Sequence, residues 1–266
     1  MKRKMCYYIL FVVIFLILIG VSYCFYQYYA PPQQRQPYSF SVNADDTLRV
    51  AFVGDSWAYL HNSNNRYLGK LLEDSLHRPV MVFSFGICGK TSKEIYESMF
   101  DDTEFKCFLS ARRYDYCYVS AGINDTYKKM STSYYKKSMD GIIRILKTNH
   151  IWPILQEIPD YDIQKTYSRQ EYKRKLLRQL SMRLNDTPLN CKQSFRDVLD
   201  ELINEKGYQG KVSVIRYQSW NDHYYDDLKL LYQGDGMHLN DRGYARLDSV
   251  IANEIIKLEI RRNGYK

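Results

Sequence analysis

The chain reads as a three-layer α/β/α domain with a five-stranded parallel sheet, preceded by one transmembrane helix. Three observations predict this: an apolar run near the N-terminus, short apolar runs of which three stop at a glycine, and helix-spaced leucines and isoleucines between those runs. Runs of that kind, alternating with helices, pack as a parallel sheet covered on both faces.

At 266 residues the chain holds one sizeable domain plus an anchor, since domains of ~100–250 residues are common. A composition of 45% hydrophobic and 26% charged residues excludes a disordered chain. The net charge is +8, of which Lys2, Arg3, Lys4 and Arg35 supply half with no acid among them. The rest is only mildly basic. It suits an acidic glycan, an anionic lipid or a nucleic acid, and selects none of them. No zinc-finger spacing and no concentrated Lys/Arg tract speaks for nucleic acid, so none is expected as a partner. Of the six cysteines, Cys6 and Cys24 fall in the anchor and Cys88, Cys107, Cys117 and Cys191 in the body. None forms a CxxC pair, so no structural zinc or redox motif is expected, nor any other metal or cofactor. Two of Cys107, Cys117 and Cys191 are available for one bridge in an oxidising compartment; the simpler reading is buried small hydrophobes.

After Lys2-Arg3-Lys4 the chain is apolar or aromatic from Met5 to Tyr26, apart from Gly20 and Ser22, with no charge before Arg35. That covers the ~20 residues a helix needs to cross the hydrocarbon core. Tyrosines flank it at both ends, where aromatic rings favour the headgroup region. The preceding cations keep the N-terminus cytoplasmic and send the body outward, to a periplasmic or cell-surface location. A cleaved signal peptide fits less well. Tyr28-Tyr29-Ala30 is a poor cleavage site, and Tyr23 before Cys24 is too bulky for lipoprotein processing. Residues 1–30 are therefore read as a signal anchor, 31–46 as a Pro/Gln-rich stalk, and 47–266 as the folded body.

Within the body, Leu48–Val53 ends at Gly54, Val80–Phe85 at Gly86 and Tyr116–Ala121 at Gly122; Trp152–Glu157 and Val212–Ile215 complete five strands. Leu68, Leu71, Leu72 and Leu76 mark a helix after the first strand, Glu94–Phe100 one after the second, and Met139, Ile142, Ile143 and Leu146 one after the third. Tyr244, Leu247, Ile251, Ile255 and Leu258 line a closing helix that Asn240 or Asp241 caps. The stretch between strands four and five is basic, with Lys165, Arg169, Lys173, Arg174, Lys175, Arg178 and Arg183. It reads either as a solvated helix face or as a lid or surface that meets phospholipid or acidic glycan.

Ligands of parallel sheets bind outside the carboxyl ends of the strands. The segments there are Gly54-Asp55-Ser56, Gly86-Ile87-Cys88-Gly89 and Gly122-Ile123-Asn124-Asp125, and Asp235-Gly236-Met237-His238 follows near the C-terminus. A serine is a poor nucleophile until a base takes its proton. His238 is suited to that task, and Asp235, three residues earlier, to orienting it. In this order the four segments resemble the signature blocks of the SGNH (GDSL) hydrolase superfamily, over about residues 47–260. The resemblance implies a flavodoxin-like domain with Ser56, Asp235 and His238 as catalytic residues. It also implies an oxyanion hole from the Ser56 and Gly89 backbone N–H groups and the Asn124 side-chain amide. Ser84 stands where such proteins usually carry Asn, and Cys88 where a small Ser is common. Both departures bear on substrate shape more than on catalysis.

Rival chemistries fit less well. Gly54-Asp55-Ser56-Trp57-Ala58 lacks the last glycine of an α/β-hydrolase elbow, and Gly89-Lys90-Thr91 lacks the earlier glycine of a P-loop. His61, His77 and His150 have ordinary surface or core explanations, and His223, beside Asp222, is a distant second choice for the base. Asn124-Asp125-Thr126 is a glycosylation sequon only by coincidence. The expected reaction is acyl transfer through Ser56. With water as acceptor the protein is an esterase or deacetylase, acting on an acylated carbohydrate or other small ester such as an O-acylated envelope polysaccharide. With a sugar hydroxyl as acceptor it is an O-acyltransferase, fed by a membrane acyl-donor protein. A binding module that kept the fold without the chemistry is the remaining alternative.

Overall fold

Leu48, Val50 and Phe52 face one side of the first strand and Ala51 and Val53 the other, and all five are wholly buried. A strand buried on both faces belongs in the middle of a sheet with helices on either side. A computed structural model, which describes residues 2–40 and 45–263, shows this arrangement. The strands are β1 (Leu48–Gly54), β2 (Val80–Gly86), β3 (Tyr116–Ser120), β4 (Trp152–Gln156) and β5 (Ser213–Ile215). All pairs are parallel, in the order β2-β1-β3-β4-β5. The strand order reverses at β1, so β1 ends at a crevice between its two neighbours.

Period-two alternation divides the core. On one face Phe52, Tyr118 and Ile154 pack under α2 (Ser56–His61), α3 (Asn65–Leu76) and α13 (Asp241–Asn263). On the other, Val53, Val119 and Leu155 pack under α4 (Ser92–Asp101), α5 (Thr103–Ser110), α7 (Thr132–Thr148) and α10 (Lys192–Glu205). The remaining helices are short or peripheral: α6 (Ile123–Lys128), α8 (Ile163–Ser168), α9 (Tyr172–Asn185), α11 (Gln218–Asn221) and α12 (Tyr224–Leu231). Asn240 caps α13, its side-chain oxygen accepting from the Arg242 and Gly243 amides at 3.0 Å. The five described cysteines are free. Cys117 and Cys191 are the buried small residues expected, whereas Cys107 is exposed on α5.

The chain divides into two units, Met1–Pro31 and Pro32–Lys266. The first contains α1 (Lys2–Tyr29), whose Tyr7–Tyr29 stretch of 23 residues is long and apolar enough to cross a membrane. In the second, the Pro/Gln-rich segment lies against the body. Arg35 forms a two-pronged bond to Asp101 at 2.6 and 2.9 Å, and Tyr38 donates to the Met99 carbonyl at 2.7 Å. Asn149 accepts from the Phe40 amide at 2.9 Å and donates to the Tyr38 carbonyl at 3.0 Å. Residues 41–44 of that segment, the last three residues of the body, and the side chains of Lys2, Arg3, Lys4 and Cys6 lie outside the described residues.

The strand ends leave no room for a side chain. A Cβ at Gly54, where φ is +152°, would meet the Ser120 carbonyl oxygen at 1.9 Å; one at Gly86 would meet the Tyr59 backbone nitrogen at 2.1 Å. Backbone cannot rotate aside as a side chain does. Gly86→Ala is therefore expected to push α2 away from β2 and lower stability by ~1–3 kcal/mol. Gly234→Ala, with nothing within 4 Å, should change it little. Thermal unfolding of the two variants checks this; equal midpoints would remove the packing argument.

Candidate active site

The end of β1 is held from both sides. The Asp55 amide donates to the Ser120 carbonyl at 3.1 Å and the Ile87 amide to the Gly54 carbonyl at 3.0 Å. The chain then turns directly into α2, with Asp55 as its N-cap accepting from the Trp57 amide at 3.0 Å. Ser56 is thereby the first residue of a helix, and its own N–H has no acceptor among the described residues.

His238 reaches Ser56 from a loop between α12 and α13. An antiparallel bridge between Tyr232 and Leu239 closes that loop. The Gln233 amide donates to the His238 carbonyl at 2.7 Å, and the Tyr224 hydroxyl to the Gly236 carbonyl at 2.6 Å. Ser56 Oγ lies 2.9 Å from His238 Nε2, and His238 Nδ1 lies 2.5 Å from Asp235 Oδ2. With Nδ1–H donated to Asp235, Nε2 is left to accept the serine hydroxyl. The other Asp235 oxygen accepts from the Met237 and His238 amides at 2.9 and 3.0 Å. Partial burial works to raise the Asp235 pKa, but these amides and His238 outweigh it and hold the carboxyl below its ordinary value. It is a carboxylate at neutral pH.

Gly89 sits exposed in the loop after β2 with φ +74°. Its N–H, like that of Ser56, has no acceptor among the described residues. Asn124, at the start of α6, is partly buried and directs both amide hydrogens inward, to Asp55 Oδ2 at 3.1 Å and to the Lys90 carbonyl at 3.0 Å. At rest the two backbone donors are open and the side-chain donor is occupied.

Two buried carboxylates carry no role in the sequence reading. Asp55 is wholly buried, and burial pushes it up to about 6 against the bonds from Trp57, Ser120 and Asn124. Asp125, also wholly buried, accepts from the Ser92 amide at 2.8 Å and the Ser92 hydroxyl at 2.5 Å. Burial pushes Asp125 up to about 7. It ties α6 to the start of α4, just past Gly89. For Asp55 the signal in the sequence was position, an acid directly after a strand-ending glycine, where a helix needs a cap. Ser84 turns from the site to a buried cluster, donating to Asn65 Oδ1 at 2.5 Å and lying 3.1 Å from His61. His223 is largely exposed, with Asp222 at 3.6 Å as its partner. A cavity of about 810 Å³, lined in part by Asp115, Tyr116 and Trp152, opens at the amino ends of β3 and β4. It is at the wrong end of the sheet for chemistry at Ser56.

No curated protein sequence matches the chain. Among solved structures, it is similar to a lipase/acylhydrolase from Enterococcus faecalis. The TM-score is 0.53 at 15% identity, over 79% of this chain and 96% of that one. It is similar also to an acetyl xylan esterase, with a TM-score of 0.54 at 17% identity, over 78% of this chain and 100% of that one. At such identities the likeness is one of fold. Sequence is more specific: a model of the GDSL-like lipase/acylhydrolase family matches residues 52–246, most of the body, and the chain belongs to that family.

Proposed function

We propose that the protein is a serine esterase that removes acyl groups from O-acylated envelope polysaccharide. The observation that carries the chemistry is the hydrogen-bonded series Ser56 Oγ, His238, Asp235 at the carboxyl end of β1. His238 Nε2 takes the hydroxyl proton as Ser56 Oγ attacks the ester carbonyl. Asp235 holds the imidazole and stabilises its cation. The tetrahedral oxyanion is received by the Ser56 and Gly89 N–H groups, and by Asn124 once its amide exchanges the Lys90 carbonyl for the substrate oxygen. Collapse expels the sugar alkoxide, which takes the proton from His238 and leaves acyl-Ser56. His238 then deprotonates water, which attacks the acyl carbon, and acetate or a related acid departs with Ser56 Oγ reprotonated.

The substrate class rests on location and on the fold shared with an acetyl xylan esterase. The basic residues before the apolar stretch of α1 favour an N-terminus in the cytoplasm and a body outside it, beside the envelope. Assay of the purified full chain on acetylated oligosaccharides, with and without an acceptor glycan, tests this reading. Acid released without acceptor supports it. Acyl groups that move only to the acceptor would make the protein an O-acyltransferase. Failure of both, with no labelling of Ser56 by an acyl phosphonate, would leave a binding module.

Ser56→Ala and His238→Ala should each abolish turnover of p-nitrophenyl acetate with little change in melting temperature. Their combination should be little worse than either, because residues that act as a unit are non-additive. Asp235→Asn should be milder. More than a tenth of wild-type activity in Ser56→Ala, or rate losses that multiply in the double variant, would remove the assignment.

Asn124→Ala should lower kcat by ~10²–10³ with KM little changed, the loss expected for one oxyanion donor. Asn124→Asp should be at least as severe, since it sets a second carboxylate against buried Asp55. Both variants within threefold of wild type would make Asn124 a structural residue only.

For topology, protease added to the outer side of the membrane should digest the body and spare about the first 30 residues, the length of a span with its flanks. Protection of the body would reverse the orientation. A mature chain beginning after Ala30 would instead remove the anchor.

A further inference from the structure

Helix α9 presents a face that nothing in the body covers. Among the described residues of the body, eleven large hydrophobics are exposed, and five of them are on this helix: Tyr172 at 80%, Leu176 at 55%, Leu177 at 50%, Leu180 at 44% and Leu184 at 56%. The other six are scattered over five elements, as is normal for single surface residues. At 3.6 residues per turn the five α9 positions fall within an arc of ~140°, which Lys173 and Arg183 share near the two ends of the helix. The opposite side attaches to the body. Ser181 is wholly buried, Asn185 donates to the Lys129 carbonyl at 2.7 Å, and the Arg178 guanidinium lies 5.1 Å from the Tyr127 ring centroid.

Cations accompany the stripe. Lys173, Arg174 and Arg183 are exposed and have no ion pair among the described residues. The helix contains no acid, although Glu171 and Asp186 stand just outside its two ends. Apolar side chains flanked by unpaired cations suit one occupant in particular. A second copy of the chain would set this basic face against an equally basic one. A glycan or nucleic acid would use the cations and leave the leucines in water. An anionic phospholipid surface takes both, with leucines at the acyl boundary and cations at the phosphates. The chain also carries a helix long and apolar enough to cross a bilayer, so even a weak surface helix would act at high effective concentration.

We infer that α9 is a second membrane contact, an interfacial helix that lays its Tyr172–Leu184 stripe on an anionic lipid surface and so orients the body. This rests on the anchor for proximity and not on the esterase reading.

The test uses the full chain in lipid nanodiscs that contain phosphatidylglycerol, with or without bromine on the acyl chains. Tryptophan is introduced by Leu180→Trp and, as a reference on an exposed part of α3, by Glu73→Trp; the parent chain supplies the background of native tryptophans. Co-purification with the discs reports on α1 separately. The expected result is at least twofold quenching by brominated lipid in Leu180→Trp and none in Glu73→Trp. Exchange of Lys173, Arg174 and Arg183 for Gln in the Leu180→Trp chain should remove at least half of that quenching. Equal response of the two tryptophan variants would overturn the inference. So would a blue shift without quenching that persists in neutral detergent, because a second copy would then be covering the face. Repeating the measurement with Leu176→Trp guards against a local disturbance at residue 180.

Discussion

The geometry of the proposed Ser56–His238 pair depends on how α2 is fastened to α13. Ser56 and His238 are separated by 182 positions in the chain, yet their reacting atoms lie 2.9 Å apart. Trp57 and His61 are one turn apart on α2, and Tyr244 and Asp248 one turn apart on α13. The Tyr244 hydroxyl donates to the Trp57 carbonyl at 3.0 Å, and His61 Nε2 meets Asp248 Oδ1 at 2.7 Å. Trp57, His61 and Asp248 are essentially sealed from solvent, and Phe52 of β1 stacks on His61 with centroids 4.0 Å apart. These two rungs join the helix that begins with the nucleophile to the helix that begins just after the base. A misplacement of ~1 Å between such groups costs on the order of 100-fold in rate, so the rungs serve catalysis without touching substrate.

Environment sorts the carboxylates of this region into two kinds. Asp55, Asp125 and Asp248 are buried, and burial pushes each above its ordinary pKa against the hydrogen bonds it accepts. They organise backbone and side chains behind the site. Asp235 is half exposed and is held below its ordinary value, mainly by amides of its own loop. The carboxylate that faces His238 is the one of the four held below its ordinary value, which suits an orienting partner of that imidazole.

Much of this was legible in the sequence because it was written in local patterns. The five expected strands match the observed boundaries to within a residue, three of them at a glycine, and the blocks around Ser56, Asn124 and His238 fell at strand ends or just before a capped helix. What escaped notice depends on distant partners. Ser84 looked like an altered site residue, but its hydroxyl serves Asn65 and His61. The Pro/Gln-rich segment looked like a spacer, yet Arg35 and Tyr38 find partners in and around α4. Around α9 the sequence offered a basic composition that fitted a solvated helix face or a lipid- or glycan-meeting surface. It told of charge, not of which side would face the body, and exposure of the α9 leucines is a property of packing alone.

The oxyanion donors show where the resting site stops short of its transition state. A donor stabilises developing charge most when it is already aimed and needs no reorganisation. The Ser56 and Gly89 N–H groups, as donors of the proposed hole, have no bond to break first, since neither has an acceptor among the described residues. Asn124 differs, since its amide is engaged by Asp55 and by the Lys90 carbonyl. The bond to Asp55 holds the side chain in place, while the bond to Lys90 is the one that a substrate oxygen must replace. Lys90 follows Gly89 directly, so the loop that carries the Gly89 donor also engages the Asn124 amide at rest. Two of the hole's donors are therefore built by the fold, and the third is held ready by a buried carboxylate that never meets the substrate.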